Sequence, residues 1–224
     1  MTSSKLVSIQ VAKPQQYGHE GALRDDDQPW RTAFFKQTVA GPVDVGWTNL
    51  AGDGQADLEN HGGINKAVLA YSAEHYPYWR DTLGLAEMPC GAFGENLTIT
   101  GLDETSVCVG DTWRIGDVLL QVSQPRQPCW KLSRRWRIAD LAKQVIQNGR
   151  SGWYFRVLQT GVVEAGMPVT LQERPLPDWT IARANETFYH RKQDVTAAKE
   201  LAGMPLLSME WREMFAQRLG KRTE

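Results

Sequence analysis

The sequence predicts a mostly β fold with some α structure, in which a β-barrel-like domain is followed by a small domain of three helices. Up to Glu173 the chain carries many short apolar segments separated by glycine-containing turns, a pattern that favours a barrel over a layered α/β sheet. Residues 174–178 (RPLPD) then have the composition of a linker, and three helical patterns follow them. We therefore predict two domains, residues 1–174 and residues 175–224.

The strands are predicted from alternation and from turn signals. Residues 6–11 (LVSIQV) alternate apolar and polar side chains, as a strand with one buried face does. Gly-Asp pairs at 110–111 and 116–117 separate short apolar runs in the manner of hairpin turns. The predicted strands are, in order, residues 6–11, 32–39, 43–45, 66–71, 96–100, 106–109, 112–115, 118–122, 152–158 and 162–171, and the last two segments are broken at Gly161 and Gly166.

Two helices interrupt the predicted strands. Ser72 is a candidate cap for a helix that runs towards residue 83, with Pro77 in its first turns. Ser133 is a candidate cap for a second helix, which Asn148-Gly149 ends. The three helices of the second domain are predicted at residues 181–189, 195–201 and 209–219.

Composition and charge exclude several classes of protein. The chain has 224 residues with a net charge of −1, so no global field attracts it to nucleic acid or to an anionic membrane. No apolar run reaches the roughly 18 residues of a membrane span, and residues 1–6 lack a signal-peptide apolar region. The three cysteines form no CxxC pair, which argues against a disulfide scaffold, a structural zinc site and an iron–sulfur cluster. We expect a cytoplasmic protein.

Cys129 is the first candidate functional residue. It ends the segment 125–129 (PRQPC), whose two prolines stiffen the backbone around Arg126 and Gln127. Residues 126–137 contain five basic residues and no acidic one, and such surroundings favour the thiolate, the form that binds metals or attacks electrophiles. The alternative interpretation is a buried cysteine that acts as a small apolar residue. Cys90 and Cys108, in apolar or glycine-rich surroundings, are predicted to be structural.

Two glycine-rich segments are further candidates. Residues 52–66 (GDGQADLENHGGINK) combine four glycines with His61 and Lys66, and successive backbone N–H groups in such a loop can bind an anion. Residues 91–97 (GAFGENL) place Asn96 just before a strand, where its amide can pair with a heterocycle edge. Ordinary polar turns are the alternative interpretation of both. Trp130 and Trp136 flank the cysteine segment and are candidates for the wall of a pocket for a planar ligand.

Taken together, the three segments resemble the MOSC family, the molybdenum cofactor sulfurase C-terminal domains, and most closely its bacterial YiiM-like subgroup. The resemblance spans about residues 5–170, and residues 175–224 resemble the three-helix domain of that subgroup. Any one motif is weak evidence, whereas three in the same order are specific. The residues that carry the resemblance are 52–57 (GDGQAD), 61–63 (HGG), 66–67 (KA), 93–97 (FGENL) and 125–129 (PRQPC).

The resemblance implies a β-barrel-like fold that binds the molybdenum cofactor, Mo-molybdopterin. It implies that Cys129 is the protein ligand to the metal and a catalytic residue. The residues that would line the anionic pterin are His61, Gly62, Gly63, Lys66, Asn96 and Arg126. Lys36 stands where this subgroup often has a lysine before a Gly-Pro-Val turn, and it is a further catalytic candidate for contact with phosphate or substrate.

The resemblance also implies an activity, the reduction of N-hydroxylated compounds such as 6-hydroxylaminopurine to amines, in a role of N-hydroxylated base detoxification. The chain has no iron–sulfur ligand set and no flavin fingerprint, so we expect electrons from a separate flavoprotein reductase. Two alternatives remain: a non-catalytic carrier of the cofactor, and a sulfur-transfer domain with a persulfide on Cys129. We expect a monomer or a homodimer, with no nucleic acid polymer or membrane as partner.

Overall fold

The computed structural model describes residues 4–221, and within them the chain forms 12 strands, seven α-helices and two 3₁₀ turns. The strands are β1 (Lys5–Val11), β2 (Gln15–Tyr17), β3 (Trp30–Thr32), β4 (Gln37–Thr38), β5 (Val43–Val45), β6 (Val68–Ser72), β7 (Leu97–Thr100), β8 (Thr112–Ile115), β9 (Val118–Pro125), β10 (Trp153–Gln159), β11 (Gly161–Val163) and β12 (Val169–Glu173). The helices are α1 (Leu58–His61), α2 (His75–Leu83), α3 (Trp130–Trp136), α4 (Leu141–Asn148), α5 (Ile181–Tyr189), α6 (Val195–Ala202) and α7 (Met209–Gly220). The 3₁₀ turns are Asp25–Asp27 and Ile64–Lys66.

Eight strands form one curled sheet in the order β12-β8-β9-β10-β6-β7-β1-β4. Its two ends approach each other, because Lys5 on β1 bridges to Pro168, just before β12, and the Leu6 N–H donates to Met167 O at 3.0 Å. Strands β6 and β7 pair in parallel, whereas the other neighbouring strands of this sheet are antiparallel. The sheet is therefore a half-barrel, and the prediction of a mostly β fold with a three-helix tail is confirmed.

One apolar core joins the half-barrel to the carboxyl-terminal helices. Trp153 and Phe155 of β10 are fully buried on the inner face of the sheet, and Trp211 and Phe215 of α7 belong to the same cluster. The backbone continues this contact, since the Ile181 N–H donates to Val107 O at 2.8 Å. The boundary at residue 174 stays a prediction, but the parts on its two sides share buried apolar surface. None of the helices in the described chain has both the length and the apolar character that crossing a membrane requires.

Two predicted strands were wrong because side chains take the backbone hydrogen bonds. The segment 32–39 is split between β3 and β4, and the Phe34 N–H donates to Thr32 Oγ1 at 3.0 Å. Residues 106–109 form a turn, in which the Ser106 N–H donates to Asp103 Oδ1 at 3.0 Å. Short polar side chains that accept local N–H groups offer the backbone an alternative to a strand ladder.

The helix predicted from Ser133 to Asn148 is two helices, α3 and α4. Helix α3 begins four residues earlier than expected, directly after Cys129, and ends at Trp136, because the next residue, Arg137, has a left-handed φ of 55°. Helix α2 likewise starts at His75 rather than after Ser72, which places Pro77 in the first turn, where a missing N–H breaks no helical hydrogen bond.

Candidate functional site

A cleft lies on the outer face of the half-barrel, where β6, β10 and β9 run side by side. Tyr154 on β10 is the register partner of Leu69 on β6 and of Gln124 on β9, so the three side chains share one face. Their neighbours Val68 and Trp153 point into the apolar core. The polar residues of the site are thus presented by the same strands that build the core, on the opposite side.

The cleft has two adjoining lobes. The basic lobe encloses about 630 Å³ of empty space, part of it open to solvent. Its own lining includes Phe34, Lys36, Asp53, Leu69, Gly94, Asn96, Arg126 and Lys131. The second lobe, here called the tryptophan lobe, has its own lining of Asp57, Asn60, Gln124, Pro128, Trp130 and Glu210. Residues that border both lobes are His61, Lys66, Gln127, Cys129 and Tyr154.

Cys129 stands at the border of the two lobes, as a half-buried free thiol. The local sequence places it there because β9 ends at Pro125 and the rigid segment that follows leads into α3. Cys129 is the residue before α3, and its carbonyl accepts the Leu132 N–H at 3.1 Å. The side chain is therefore held where strand becomes helix, facing the cavity rather than the core.

The five basic residues near Cys129 do not all face the cavity. Arg126 and Lys131 line the basic lobe. Arg134 donates to backbone carbonyls of Asp26 and Gln28. Arg135 donates to Phe34 O at 3.0 Å and to Gly91 O at 2.6 Å, and burial lowers its pKa. Arg137 is exposed and pairs with Asp27.

Arg126 is the strongest candidate for binding an anion. It is 3% exposed, and its Nη2 donates to Phe93 O at 3.2 Å, but its Nη1 has no hydrogen-bond partner within the described chain. No carboxylate of residues 4–221 forms an ion pair with it. Leaving a buried guanidinium N–H without an acceptor is costly, so this position fits an anionic group in the basic lobe.

Lys131 adds a second cation to the same lobe. It is 8% exposed, and among residues 4–221 no carboxylate lies within ion-pair distance of it. Lys131 was not among the site residues predicted from the sequence, although it belongs to the basic run after Cys129. Its position two residues into a helix that begins at Trp130 turns it towards the cavity, and that start was not predicted.

His61 borders both lobes as a neutral side chain at neutral pH. Burial is the main cause that lowers the pKa of His61 to about 4, and the neighbouring Lys131 lowers it further. Asp57 opposes this by raising it. A neutral imidazole can accept or donate a hydrogen bond without adding charge to the lobe.

Lys36 and Asn96 both line the basic lobe, but their polar atoms are engaged with the protein. Lys36 forms an ion pair with Asp53, which is 1% exposed, and burial lowers the pKa of Lys36 despite that partner. Asn96 donates to Asp53 Oδ2 at 2.8 Å and accepts the Leu69 N–H at 3.1 Å. The three side chains form one buried network, so a direct contact of Asn96 with a ligand requires these bonds to break.

Gly62 and Gly63 do not border either lobe, and their contact with a cofactor stays a prediction. Gly63 is exposed and has a φ of 92°, a conformation that side chains other than glycine rarely adopt. It links α1, which ends at His61, to the turn Ile64–Lys66. The glycines therefore position His61 and Lys66 and do not form the wall themselves.

Tyr154, Asp53 and Glu210 were missed as site residues by sequence reasoning. Tyr154 had a signal, because it alternates with the core residues Trp153 and Phe155 along β10. Glu210 had none, since it lies on α7 far along the chain, yet it forms an ion pair with Lys66. Trp130 lines the tryptophan lobe as suggested, whereas Trp136 donates to Ala92 O at 3.0 Å and packs in a second apolar cluster.

Within residues 4–221 no three or more His, Cys, Asp and Glu side chains are grouped to hold a metal ion. Cys129 is a single soft donor beside the basic lobe. A metal at this position would therefore take most of its ligands from a bound organic group, and a dithiolene is a soft ligand of the same kind as the thiolate.

Comparison with known proteins finds relatives of this chain both by sequence and by structure. A family model described as MOSC domain matches residues 57–170, and one described as YiiM-like, 3-alpha helix domain matches residues 179–222. The protein YflK of Bacillus subtilis (strain 168) is 39% identical over 213 residues, which is 95% of this chain and 93% of that protein.

A protein of Gibberella moniliformis (strain M3125 / FGSC 7600) named Reductase is 38% identical over 186 residues, 80% of this chain but 32% of that protein. The crystal structure of YiiM from Geobacillus stearothermophilus superposes with a TM-score of 0.80 at 41% identity, covering 96% of this chain and 99% of that one.

Proposed function

This chain belongs to the MOSC domain family, and from that premise we propose that it is a molybdenum-cofactor-dependent reductase of N-hydroxylated compounds, with Cys129 as the protein ligand to the metal. The family membership agrees with the resemblance seen in the sequence. The metal, the substrate class and the site roles are proposals that the geometry of the cleft supports.

The observation that carries the proposal is the pairing of a half-buried thiol with a buried, unpartnered cation. Cys129 and Arg126 line the same lobe, and Arg126 Nη1 lacks an acceptor within residues 4–221. Arg126 and Lys131 would hold the anionic phosphate of the pterin, and Cys129 would hold the metal. His61 and Lys66 border the same space and add a neutral and a charged hydrogen-bonding group.

The proposed reaction converts R–NH–OH, two electrons and two protons into R–NH₂ and water. When bound, the molybdenum cofactor supplies the two-electron chemistry that breaks the N–O bond. Electrons are expected from a separate flavoprotein reductase. The relative named Reductase is consistent with such an activity, although this chain spans only 32% of that protein. We propose a cytoplasmic location for this reaction.

Tyr154 and Lys66 are the groups best placed to hold protons for the leaving oxygen. Tyr154 borders both lobes, and burial raises its pKa to about 12, so its Oη–H stays protonated at neutral pH. Lys66 is 8% exposed at its side chain and also borders both lobes. We keep Lys36 as a candidate for phosphate or substrate contact, which it can make only by leaving Asp53.

The test compares Cys129→Ser with Cys108→Ala in protein made in cells that build the cofactor. Because the hydroxyl is a harder donor than the thiolate, Cys129→Ser is expected to lose most bound molybdenum and at least about 100-fold of turnover of 6-hydroxylaminopurine with an artificial electron donor. Cys108 is 1% exposed and its Sγ lies 3.5 Å from Pro177 O, away from the cleft, so Cys108→Ala should retain both.

The same experiment separates the alternatives. Metal analysis by inductively coupled plasma, with fluorescence of the released pterin, gives cofactor content independently of turnover. Full molybdenum content without turnover of any N-hydroxylated compound would favour a cofactor carrier. A persulfide on Cys129 with no bound molybdenum would favour sulfur transfer. Retained metal and turnover in Cys129→Ser would refute the ligand assignment.

A further inference from the structure

The tryptophan lobe contains a carboxylate that the carboxyl-terminal helices bring to the cleft. Glu210 on α7 forms an ion pair with Lys66 Nζ, which also donates to Asn60 O at 2.7 Å. The Lys66 side chain is 8% exposed and the Glu210 side chain is 47% exposed. The pair therefore stands between the buried part of the cleft and solvent, on the side of the tryptophan lobe.

Both partners of this pair are anchored to Ser123 on β9. The Ser208 N–H, two residues before Glu210, donates to Ser123 O at 2.9 Å. Ser123 Oγ donates to Asn65 O at 2.6 Å, next to Lys66. Because one fully buried residue fixes the start of α7 and the turn that carries Lys66, the geometry of the pair is set by the fold rather than by flexible side chains alone.

The two lobes differ in charge. In the basic lobe Arg126 and Lys131 have no carboxylate partner within the described chain, whereas Lys36 is balanced by Asp53. In the tryptophan lobe Lys66 is balanced by Glu210, and Asp57 lies on the wall as a further carboxylate. An anion is thus favoured in the basic lobe and opposed in the tryptophan lobe, where its approach to Lys66 must displace Glu210.

The tryptophan lobe also offers an aromatic surface. Trp130 is 55% exposed, and its ring lies 5.4 Å from that of Trp30, with the Arg134 guanidinium within 5.6 Å. An indole that contacts a second aromatic ring and a cation, and is still 55% exposed, can offer its free surface to a planar heterocycle. Cys129, the proposed metal ligand, is its immediate neighbour in the chain.

We propose that the tryptophan lobe is the substrate subsite, that it takes an uncharged planar N-hydroxylated heterocycle against Trp130, and that Glu210 excludes phosphorylated forms of the same heterocycle. This inference rests on the proposed function and deepens it. It assigns the free base or nucleoside, and not the nucleotide, as the substrate class. It also gives the three-helix domain a direct part in specificity.

The experiment measures binding and turnover of 6-hydroxylaminopurine, its riboside and its riboside 5′-monophosphate by cofactor-loaded protein. Dissociation constants are measured without an electron donor, so that no turnover occurs, and the riboside separates the effect of size from that of charge. The wild type is expected to bind the base and the riboside at least about tenfold more tightly than the monophosphate.

Glu210→Gln keeps the side-chain shape and removes the charge. It should lower the dissociation constant of the monophosphate about fivefold, a modest effect because the ion pair is partly exposed. The dissociation constant of the base should change by less than about twofold. Glu213→Gln removes a carboxylate from the exposed side of the same helix and should leave the dissociation constants of all three ligands unchanged. Trp130→Leu should raise the dissociation constants of the base and of the riboside equally, about tenfold, while the molybdenum content is retained.

Each outcome bears on one of the two proposals. Three outcomes would overturn this inference. They are equal affinity of the wild type for the riboside and the monophosphate, equal changes in monophosphate affinity in Glu210→Gln and Glu213→Gln, and failure of the wild type to bind the base. Selective binding of the base without reduction by the loaded wild type would instead count against the proposed function and leave the subsite assignment standing.

Discussion

His61 shows how the environment of one residue controls its charge. The histidine was singled out in the sequence as a cationic or hydrogen-bonding group beside an anion site. In the structure, burial together with Lys131 lowers its pKa to about 4, so it is neutral at neutral pH. The uncompensated positive charge of the cleft comes instead from Arg126 and Lys131, which have no carboxylate partner within residues 4–221.

The depressed pKa of His61 predicts a specific loss of stability in acid. As pH falls below the ordinary value of 6.5, the unfolded chain binds the proton first, so stability declines between pH 6.5 and about 4. Because the side chain is partly exposed, we expect this residue to account for about 1–2 kcal/mol of the decline. His61→Gln should remove that share, measured as urea unfolding midpoints of cofactor-free protein at pH 7 and pH 4.5. Equal acid sensitivity of both proteins would contradict the prediction.

A second residue-scale prediction concerns Arg126, whose buried Nη1 lacks an acceptor within residues 4–221. Arg126→Gln should reduce bound pterin at least about tenfold, because a charge-assisted contact to phosphate is lost from a dry position. The measurement is pterin fluorescence per molecule of protein. Arg137→Gln is the control, since Arg137 is exposed and pairs with Asp27 outside the cleft. Parallel loss in both variants would show that net charge matters rather than the position of Arg126.

The local sequence predicts which residues line the cleft better than it predicts the hydrogen bonds and ion pairs that those residues form. Six of the eight proposed site residues line the cleft, because motifs at strand and helix ends converge on one face. The engagement of Asn96 and Lys36 with Asp53 was not predictable, since it depends on distances between segments far apart in the chain. The same holds for Glu210, whose partner Lys66 is on a distant turn.

The break between α3 and α4 is the main element that the sequence pattern concealed. Apolar residues continue at helical spacing through residues 136–145, so the pattern predicts one helix. The chain instead adopts a left-handed conformation at Arg137, where the Ile138 N–H donates to Ser133 O at 3.0 Å. The gap lets α3 begin directly after Cys129 while α4 packs Leu141 and Val145 into the second apolar cluster.

The left-handed residue gives a prediction for this element. Arg137→Gly should stabilise the protein by about 0.5–1 kcal/mol, because glycine adopts that conformation without steric cost and the exposed ion pair with Asp27 contributes little. Gly149→Ala is the converse control: Gly149 has a φ of 74° at the end of α4, and the change should destabilise by a similar amount. The measurement is the thermal unfolding midpoint of each variant relative to the wild type. A lower midpoint for Arg137→Gly would contradict the prediction.

In the whole molecule, the carboxyl-terminal helices complete the core of the half-barrel. In the sequence, a proline-rich segment marks a change from predicted strands to predicted helices. The sequence does not reveal that Trp211 and Phe215 lie in the same apolar cluster as Trp153 and Phe155, because such contacts depend on how the parts pack.

The shared core predicts that the two parts unfold together. Trp211→Ala should cost about 3–5 kcal/mol, because the side chain is 0% exposed and its removal leaves a cavity. Unfolding should remain a single transition when followed by far-ultraviolet circular dichroism and by tryptophan fluorescence. Trp47→Ala, at a residue 60% exposed, is the control and should change stability by less than about 0.5 kcal/mol. An early, separate transition for the helices would contradict a common core.

The anchoring of α7 to Ser123 has a consequence for biosynthesis. During translation Cys129 and Arg126 leave the ribosome well before Ser208 and Glu210, so a nascent chain presents the thiol before the start of α7 can close over the neighbouring turn. The Ser123 anchor and the Lys66–Glu210 ion pair can therefore form only after residues 208–210 have been synthesised, which makes this wall of the cleft one of the last parts of the molecule to assemble.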